Sequence, residues 1–162
     1  MSSNSLQNKK IVISGGASGI GWATTKICVA KGASVYLCDI DNSALNKIKK
    51  HPQYNKKIFA ANVDASKESA VIKFFKDIKK KFKYLDGLIN NVGIAGPTGS
   101  IEKLNSRDWV RTLYVNVISH FYFTKQTIPL MKKSKYGSII NISSGAGIMG
   151  FPLRSSYAAS KW

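Results

Sequence analysis

The chain has 162 residues, room for one compact domain. Apolar residues make up 44% of it and charged residues 20%, which excludes a disordered polymer, and no run approaches the roughly 18 apolar residues of a membrane-spanning helix. Lys and Arg number 25 against 8 Asp and Glu, a net charge of +17 that raises the question of nucleic-acid binding. Two cysteines, Cys28 and Cys38, cannot build a disulfide framework and suit a reducing compartment. The polar segment Met1–Lys10 carries no secretory signal, so a cytoplasmic location is expected.

Hydrophobic periodicity alternates along the chain. The first eight residues are polar and expected to be disordered. Lys10–Ser14 is a short β-branched run, followed by a glycine cluster and a helical pattern over Ile20–Lys31. Ser34–Cys38 is a second strand ending at Asp39, Asn42–Lys50 a short helix and Lys57–Val63 a third strand. Ala70–Tyr84 is a periodic helix, with Val71, Phe74, Phe75, Ile78 and Phe82 on one stripe. Its lysines (73, 76, 79, 80, 81 and 83) lie largely opposite, as on the solvated face of a helix packed on a sheet. Leu85–Asn90 is a fourth strand, Ser106–Lys133 a long helix and Ser138–Ser143 a fifth strand. Strands alternating with helices predict an α/β domain with a parallel sheet and right-handed crossovers. The chain ends at Trp162, just after a helix begins, with no stop signal; a fragment of a longer domain is therefore expected.

Three motifs carry chemistry. Between the first strand and helix stands Ser14-Gly15-Gly16-Ala17-Ser18-Gly19-Ile20-Gly21. Gly15 permits the tight turn, Gly19 lets backbone approach a phosphate, and Gly21 lets the helix pack closely. The helix N-terminus then offers free N–H groups to a pyrophosphate. Asp39, 24 residues after Gly15, stands where a carboxylate can accept hydrogen bonds from the adenosine ribose and repel a 2′-phosphate. That favours NAD over NADP, the more so because neighbouring Ser18 and Ile40 are not basic. The alternative is a strand-end Asp capping a turn, with Asp41 competing for the ribose role. Last comes Tyr157-Ala158-Ala159-Ser160-Lys161, in which positions i and i+4 bring the ammonium beside the phenol and make Tyr157 an acid/base.

Together these residues resemble the short-chain dehydrogenase/reductase family. Ser14 to Gly21 is similar to its Thr-Gly-x-x-x-Gly-Ile-Gly motif with Ser for Thr, and Asn90-Asn91-Val92-Gly93 to its Asn-Asn-Ala-Gly motif with Val for Ala. Asn116 stands at the family's helix Asn, and Ser144, 13 residues before Tyr157, at its active-site Ser. The resemblance covers the chain from Lys10 onward. It implies a Rossmann-like doubly wound parallel sheet in the strand order 3-2-1-4-5, with the last strands and the substrate loop absent. Residues 9–162 would then form an incomplete NAD(P)-binding domain.

The resemblance also implies roles. Tyr157 gives or takes the proton of the carbinol or carbonyl oxygen, Ser144 hydrogen-bonds that oxygen, and Lys161 supports Tyr157 and holds the nicotinamide ribose. Asn116 shapes the long helix and positions water in a proton relay. Gly15, Ser18, Gly19, Ile20 and Gly21 line the cofactor phosphates, Asp39 the ribose, and Asn90 and Gly93 the adenosine ribose side. Asn62-Val63 occupies the slot of the family's Asp-Val, so Asn62 is expected to meet adenine. Val92 adds bulk beside the cofactor.

The implied activity is hydride transfer between NAD(H) and a secondary alcohol or ketone, of 3-oxoacyl type or a small hydroxy acid. The full-length protein is expected to be a homo-oligomer, a dimer or tetramer, with no metal and no membrane or nucleic-acid partner. This chain alone is expected not to turn over. A non-catalytic dinucleotide-binding module is the alternative, though such a module needs none of Ser144, Tyr157 and Lys161. The 22 lysines to 3 arginines, without interleaved aromatics, argue against base readout. Arg154, three residues before Tyr157, is a candidate grip for a substrate carboxylate or sulfonate; the alternative is a loop arginine on the surface.

Overall fold

A computed structural model describes residues 5–162. Five parallel strands, β1 (Lys10–Ser14), β2 (Ser34–Asp39), β3 (Ile58–Asn62), β4 (Gly87–Asn90) and β5 (Ser138–Asn141), pair in the order β3-β2-β1-β4-β5. Between them run α1 (Gly19–Ala30), α2 (Asn42–Ile48), α3 (Glu68–Lys81), α4 (Ser106–Leu113) and α5 (Ser119–Met131), with α6 (Ser155–Lys161) after β5. The expected order and doubly wound architecture are both present.

Alternation along the strands sorts side chains onto two covered faces. Val12, Tyr36, Cys38 and Leu88 meet Phe74, Phe75 and Ile78 of α3 and Phe123 of α5. Ile11, Ile13, Val35, Leu37, Ile58 and Ile89 form the opposite core with Cys28 of α1 and Leu45 and Ile48 of α2. The α3 lysines are exposed while Val71, Phe74, Phe75 and Ile78 are buried, as the stripe predicted. Both thiols are free and buried, and desolvation raises both pKa values.

Three departures from the sequence reading have physical causes. Helix α3 stops at Lys81 because Phe82 turns extended (φ −121°, ψ 120°) and drops its ring into the core beside Tyr36 and Phe59. The single helix expected over 106–133 is split by a π-helical turn, Tyr114–Ile118, between α4 and α5. Of the stretch expected to be disordered, residues 1–4 lie outside the described residues, whereas 5–8 form a turn. There Leu6 N–H donates to Lys31 O (3.1 Å), Asn8 N–H donates to Gly32 O (3.2 Å), and Leu6 packs on the core.

The strand order reverses between β2 and β4, on either side of β1. In such sheets a crevice opens beyond the carboxyl ends of the strands at this switch point. Here those ends are Ser14, Asp39 and Asn90.

Candidate active site

Two cavities meet at this crevice. The first, about 540 Å³, is lined by residues that include Gly15, Ser18, Gly19, Asp39, Val63 and Arg111. The second, about 430 Å³, is lined by residues that include Ser144, Phe151, Arg154, Tyr157 and Lys161. Ile20, Asn91, Gly93 and Ile94 line both, so they form one continuous cleft.

The glycine turn is built as its spacing predicts. Gly19 has φ +49°, and a Cβ there would meet no atom within 4 Å, which leaves its backbone open to the cleft. A Cβ on Gly21 would lie 2.1 Å from Gly15 O and 2.7 Å from Asn91 Nδ2, so only glycine allows α1 this approach. Ser18, at the N-cap of the 12-residue α1, makes no side-chain capping bond. The first N–H groups of α1 therefore face the cleft side with the positive end of the helix dipole.

The two carboxylates competing for the ribose role are separated by their bonds. Asp41 Oδ1 caps α2, accepting from Ser43 N–H (2.8 Å) and Ala44 N–H (3.1 Å). Asp39 lines the cleft, with Oδ2 accepting from Ala17 N–H and Oδ1 from Asp41 N–H, both at 3.1 Å. Those bonds fix the carboxylate against the glycine turn.

Several expected contacts are rearranged. Asn62 is not among the residues lining the cleft: its Nδ2 donates to Ile40 O and Asn42 Oδ1, both at 3.0 Å, and braces the turn after β2. Val63, the other residue of that expected pair, lines the wall, together with Asp64 and Ser66. Burial raises the Asp64 pKa, but hydrogen bonds from Ser66 and the nearby Lys67 outweigh it and hold the carboxyl below its usual range. Asn90 is fully buried, its Nδ2 donating to Asn141 Oδ1 (2.9 Å) and Thr124 Oγ1 (3.3 Å), so its side chain ties β4 to β5 and α5. Asn91 reaches the cleft, and its Nδ2 donates to Gly15 O (2.7 Å) to tie β4 to the glycine turn.

Asn116 lies on the π turn and is 2% exposed. Its Oδ1 accepts from Ile94 N–H (2.8 Å), and its Nδ2 donates to Ile94 O and Ser160 Oγ, both at 2.9 Å. The side chain thus joins the segment after β4 to α6. Asn116 is the one buried residue of this π turn, and such turns are frequent at functional sites.

Ser144, Tyr157 and Lys161 come together on the far side of the cleft. Ser144 Oγ accepts from Ala146 N–H (3.2 Å), which pins the turn after β5. Lys161 Nζ donates to Ile142 O (3.0 Å) and sits 5.8 Å from the Tyr157 ring centroid. Burial lowers the Lys161 pKa, opposed by the Tyr157 phenol. Helix α6 is docked by Trp109 Nε1–H donating to Ser155 Oγ (3.1 Å) and by Ser143 Oγ–H donating to Lys161 O (2.7 Å).

Two residues contribute more to the site than the sequence reading gave them. Arg111, exposed on α4, lines the cleft and supplies a cation beside the glycine turn. His120 Nε2 bonds Val92 O (3.0 Å) and holds the cofactor-side loop; burial lowers its pKa, the Val92 carbonyl opposes this, and the Lys161 ammonium adds to it. Helical spacing from Asn116 was the only signal for His120, and nothing in the pattern marked Arg111.

The family model for short chain dehydrogenases matches residues 9–162. The chain belongs to the short-chain dehydrogenase family. Among curated members, it is 34% identical over 159 residues to a CLA biosynthesis dehydrogenase/reductase of Lactiplantibacillus plantarum, with 97% of this chain and 55% of that protein covered. It is 32% identical over 157 residues to a 3-oxoacyl-(acyl-carrier-protein) reductase of Thermotoga maritima, covering 96% of this chain and 63% of the reductase. Among solved structures, an NAD+-bound xylitol dehydrogenase aligns with a TM-score of 0.87 and 30% identity over 97% of this chain and 61% of that one. The chain thus spans between about half and two thirds of the length of these family members. The family uses nicotinamide cofactors, and the open glycine turn, the fixed carboxylate and the continuous cleft fit one. Among the described residues, no helix is long and apolar enough to cross a membrane.

Proposed function

We propose that the complete protein is an NAD(H)-dependent oxidoreductase of secondary alcohols and ketones, with Tyr157 as its acid/base. The observation that carries this reading is the continuous cleft, with a fixed carboxylate at one end and Tyr157 beside Lys161 at the other. The N–H groups of the Gly19 turn and the Arg111 cation receive the diphosphate, and Asp39 accepts from the adenosine ribose and disfavours a 2′-phosphate. The nicotinamide supplies hydride exchange at its C4 when bound. Around it, Tyr157 gives or takes the proton of the carbinol oxygen and Ser144 donates a hydrogen bond to that oxygen. Lys161 supplies the positive charge that a transient phenolate needs.

Substrates of 3-oxoacyl type or small hydroxy acids fall within this chemistry. Assembly as a homo-oligomer has a candidate face: Val110, Tyr114, Val117, Phe121 and Ile128 are exposed at helical spacing along α4, the π turn and α5. The buried free thiols suit a cytoplasmic, reducing setting.

The test is a panel of secondary alcohols offered to the complete protein with NAD or NADP, read by the absorbance of reduced nicotinamide. Turnover is expected with NAD and weaker turnover with NADP. No signal from either coenzyme across the panel contradicts the reading.

A further inference from the structure

The loop before α6 holds a cation that proton transfer does not use. Arg154 lines the same cavity as Ser144 and Tyr157, with its guanidinium carbon 5.7 Å from the Tyr157 ring centroid. Its Nη1 donates to Thr98 Oγ1 across the cleft wall, and Gly99 N–H donates to Leu153 O (2.9 Å) as a second rung between the same two loops. Its Nε is buried and has no partner among the described residues. Leu153, the residue before it, holds φ +60°, a left-handed conformation costly for a branched side chain and tolerated where the surroundings impose it. No Asp or Glu lines this cavity, and the other cation there, Lys161, already donates to Ile142 O.

A buried guanidinium N–H without an acceptor is costly, and the Nε edge is one that a carboxylate meets with two parallel hydrogen bonds. We propose that Arg154 is a specificity-determining residue that selects secondary alcohols or ketones bearing a carboxylate. The acid docks on the free Nε edge while the carbinol oxygen lies at Tyr157 and Ser144. The short distance from Arg154 to the Tyr157 ring fits acids whose carboxylate and carbinol carbon are separated by a few bonds. This inference rests on the oxidoreductase reading for its substrate, while the anion site itself stands on the cleft geometry.

The test titrates the complete protein, loaded with NADH, with butanoate and with butanamide, its uncharged counterpart, in a calorimeter. Butanoate is expected to bind more tightly than butanamide. Arg154→Gln weakens butanoate by about 10- to 100-fold, so the preference collapses. Arg154→Lys, which keeps the charge but lacks the fork, gives an intermediate loss and carries the test if the Gln variant fails to fold. Equal binding of the two probes by the wild type, or an equal loss of both in the variants, overturns the proposal and assigns Arg154 to bracing the loops. Arg154-dependent butanoate binding without turnover of any alcohol would overturn the oxidoreductase reading and leave the anion site standing. Turnover without any preference for a hydroxy acid over its methyl ester would do the reverse.

Discussion

The two ends of the cleft are built differently. Around the glycine turn and Asp39, strands β1 and β2 are buried on both faces. The position of each group follows from backbone: Gly16 N–H donates to Cys38 O (2.9 Å), Ala17 N–H donates to Asp39, and Gly21 fits only because it has no Cβ. At the other end β5 is exposed at all four residues, and Ser144, Tyr157 and Lys161 are positioned by a few bonds from side chain to backbone. A packed sheet makes geometry and stability inseparable at the first end. At the second, individual side chains can change with little effect on the fold, so chemistry and stability come apart.

Substitutions can break or sharpen that contrast. The largest effect is expected at the second end: Tyr157→Phe in the complete protein should lower kcat by about 10²- to 10⁴-fold. Its melting temperature should stay near that of the wild type, because the hydroxyl of half-buried Tyr157 makes no hydrogen bond within the described residues. A matching collapse in stability would erase the distinction between the two ends.

Gly21→Ala tests the opposite prediction. The added methyl meets backbone at 2.1 Å, so unfolding free energy should fall by about 1–3 kcal/mol, with NADH affinity lost in parallel. Chemical denaturation and fluorescence titration measure the two, and a folded variant of unchanged affinity would contradict the account. Asp39→Asn should have a smaller effect, cutting the preference for NAD over NADP by about tenfold, since one charge repulsion is removed. Relative kcat/KM for the two coenzymes reads this directly.

The smallest effect concerns His120. Burial lowers its pKa in the folded state, so the unfolded chain takes up the proton first as pH falls below about 6.5. Its contribution to stability is fully present above that pH and is lost as pH falls toward the folded value. The melting temperature of the wild type should decline between pH 7 and pH 5 by more than that of His120→Gln. Parallel profiles would contradict the assignment.

Much of this was legible in the sequence because the signals are local. Short β-branched and apolar runs marked all five strands, the glycine spacing marked the turn after β1, and the i, i+4 pair placed Lys161 beside Tyr157. What was not legible depends on partners far along the chain. Adjacent asparagines read alike, yet strand alternation buries Asn90 against Asn141 and sends Asn91 to the cleft. Asn62 looked like an adenine contact until the turn after β2 took up its amide. The π turn leaves no mark in the apolar period, so the break in the long helix was signalled only by the resemblance that singled out Asn116, and the bonds Asn116 makes were not legible. Arg111, on α4, lines the same cavity as the glycine turn, a pairing across the chain that no local pattern marks.

The most direct test follows the hydride itself. The complete protein is incubated with NAD and a secondary alcohol carrying deuterium on its carbinol carbon, and the coenzyme is then examined by mass spectrometry and NMR. The account predicts deuterium at C4 of the reduced nicotinamide, in an amount that falls with the activity of Tyr157→Phe. Bound NAD that acquires no label while Tyr157 is intact would contradict it.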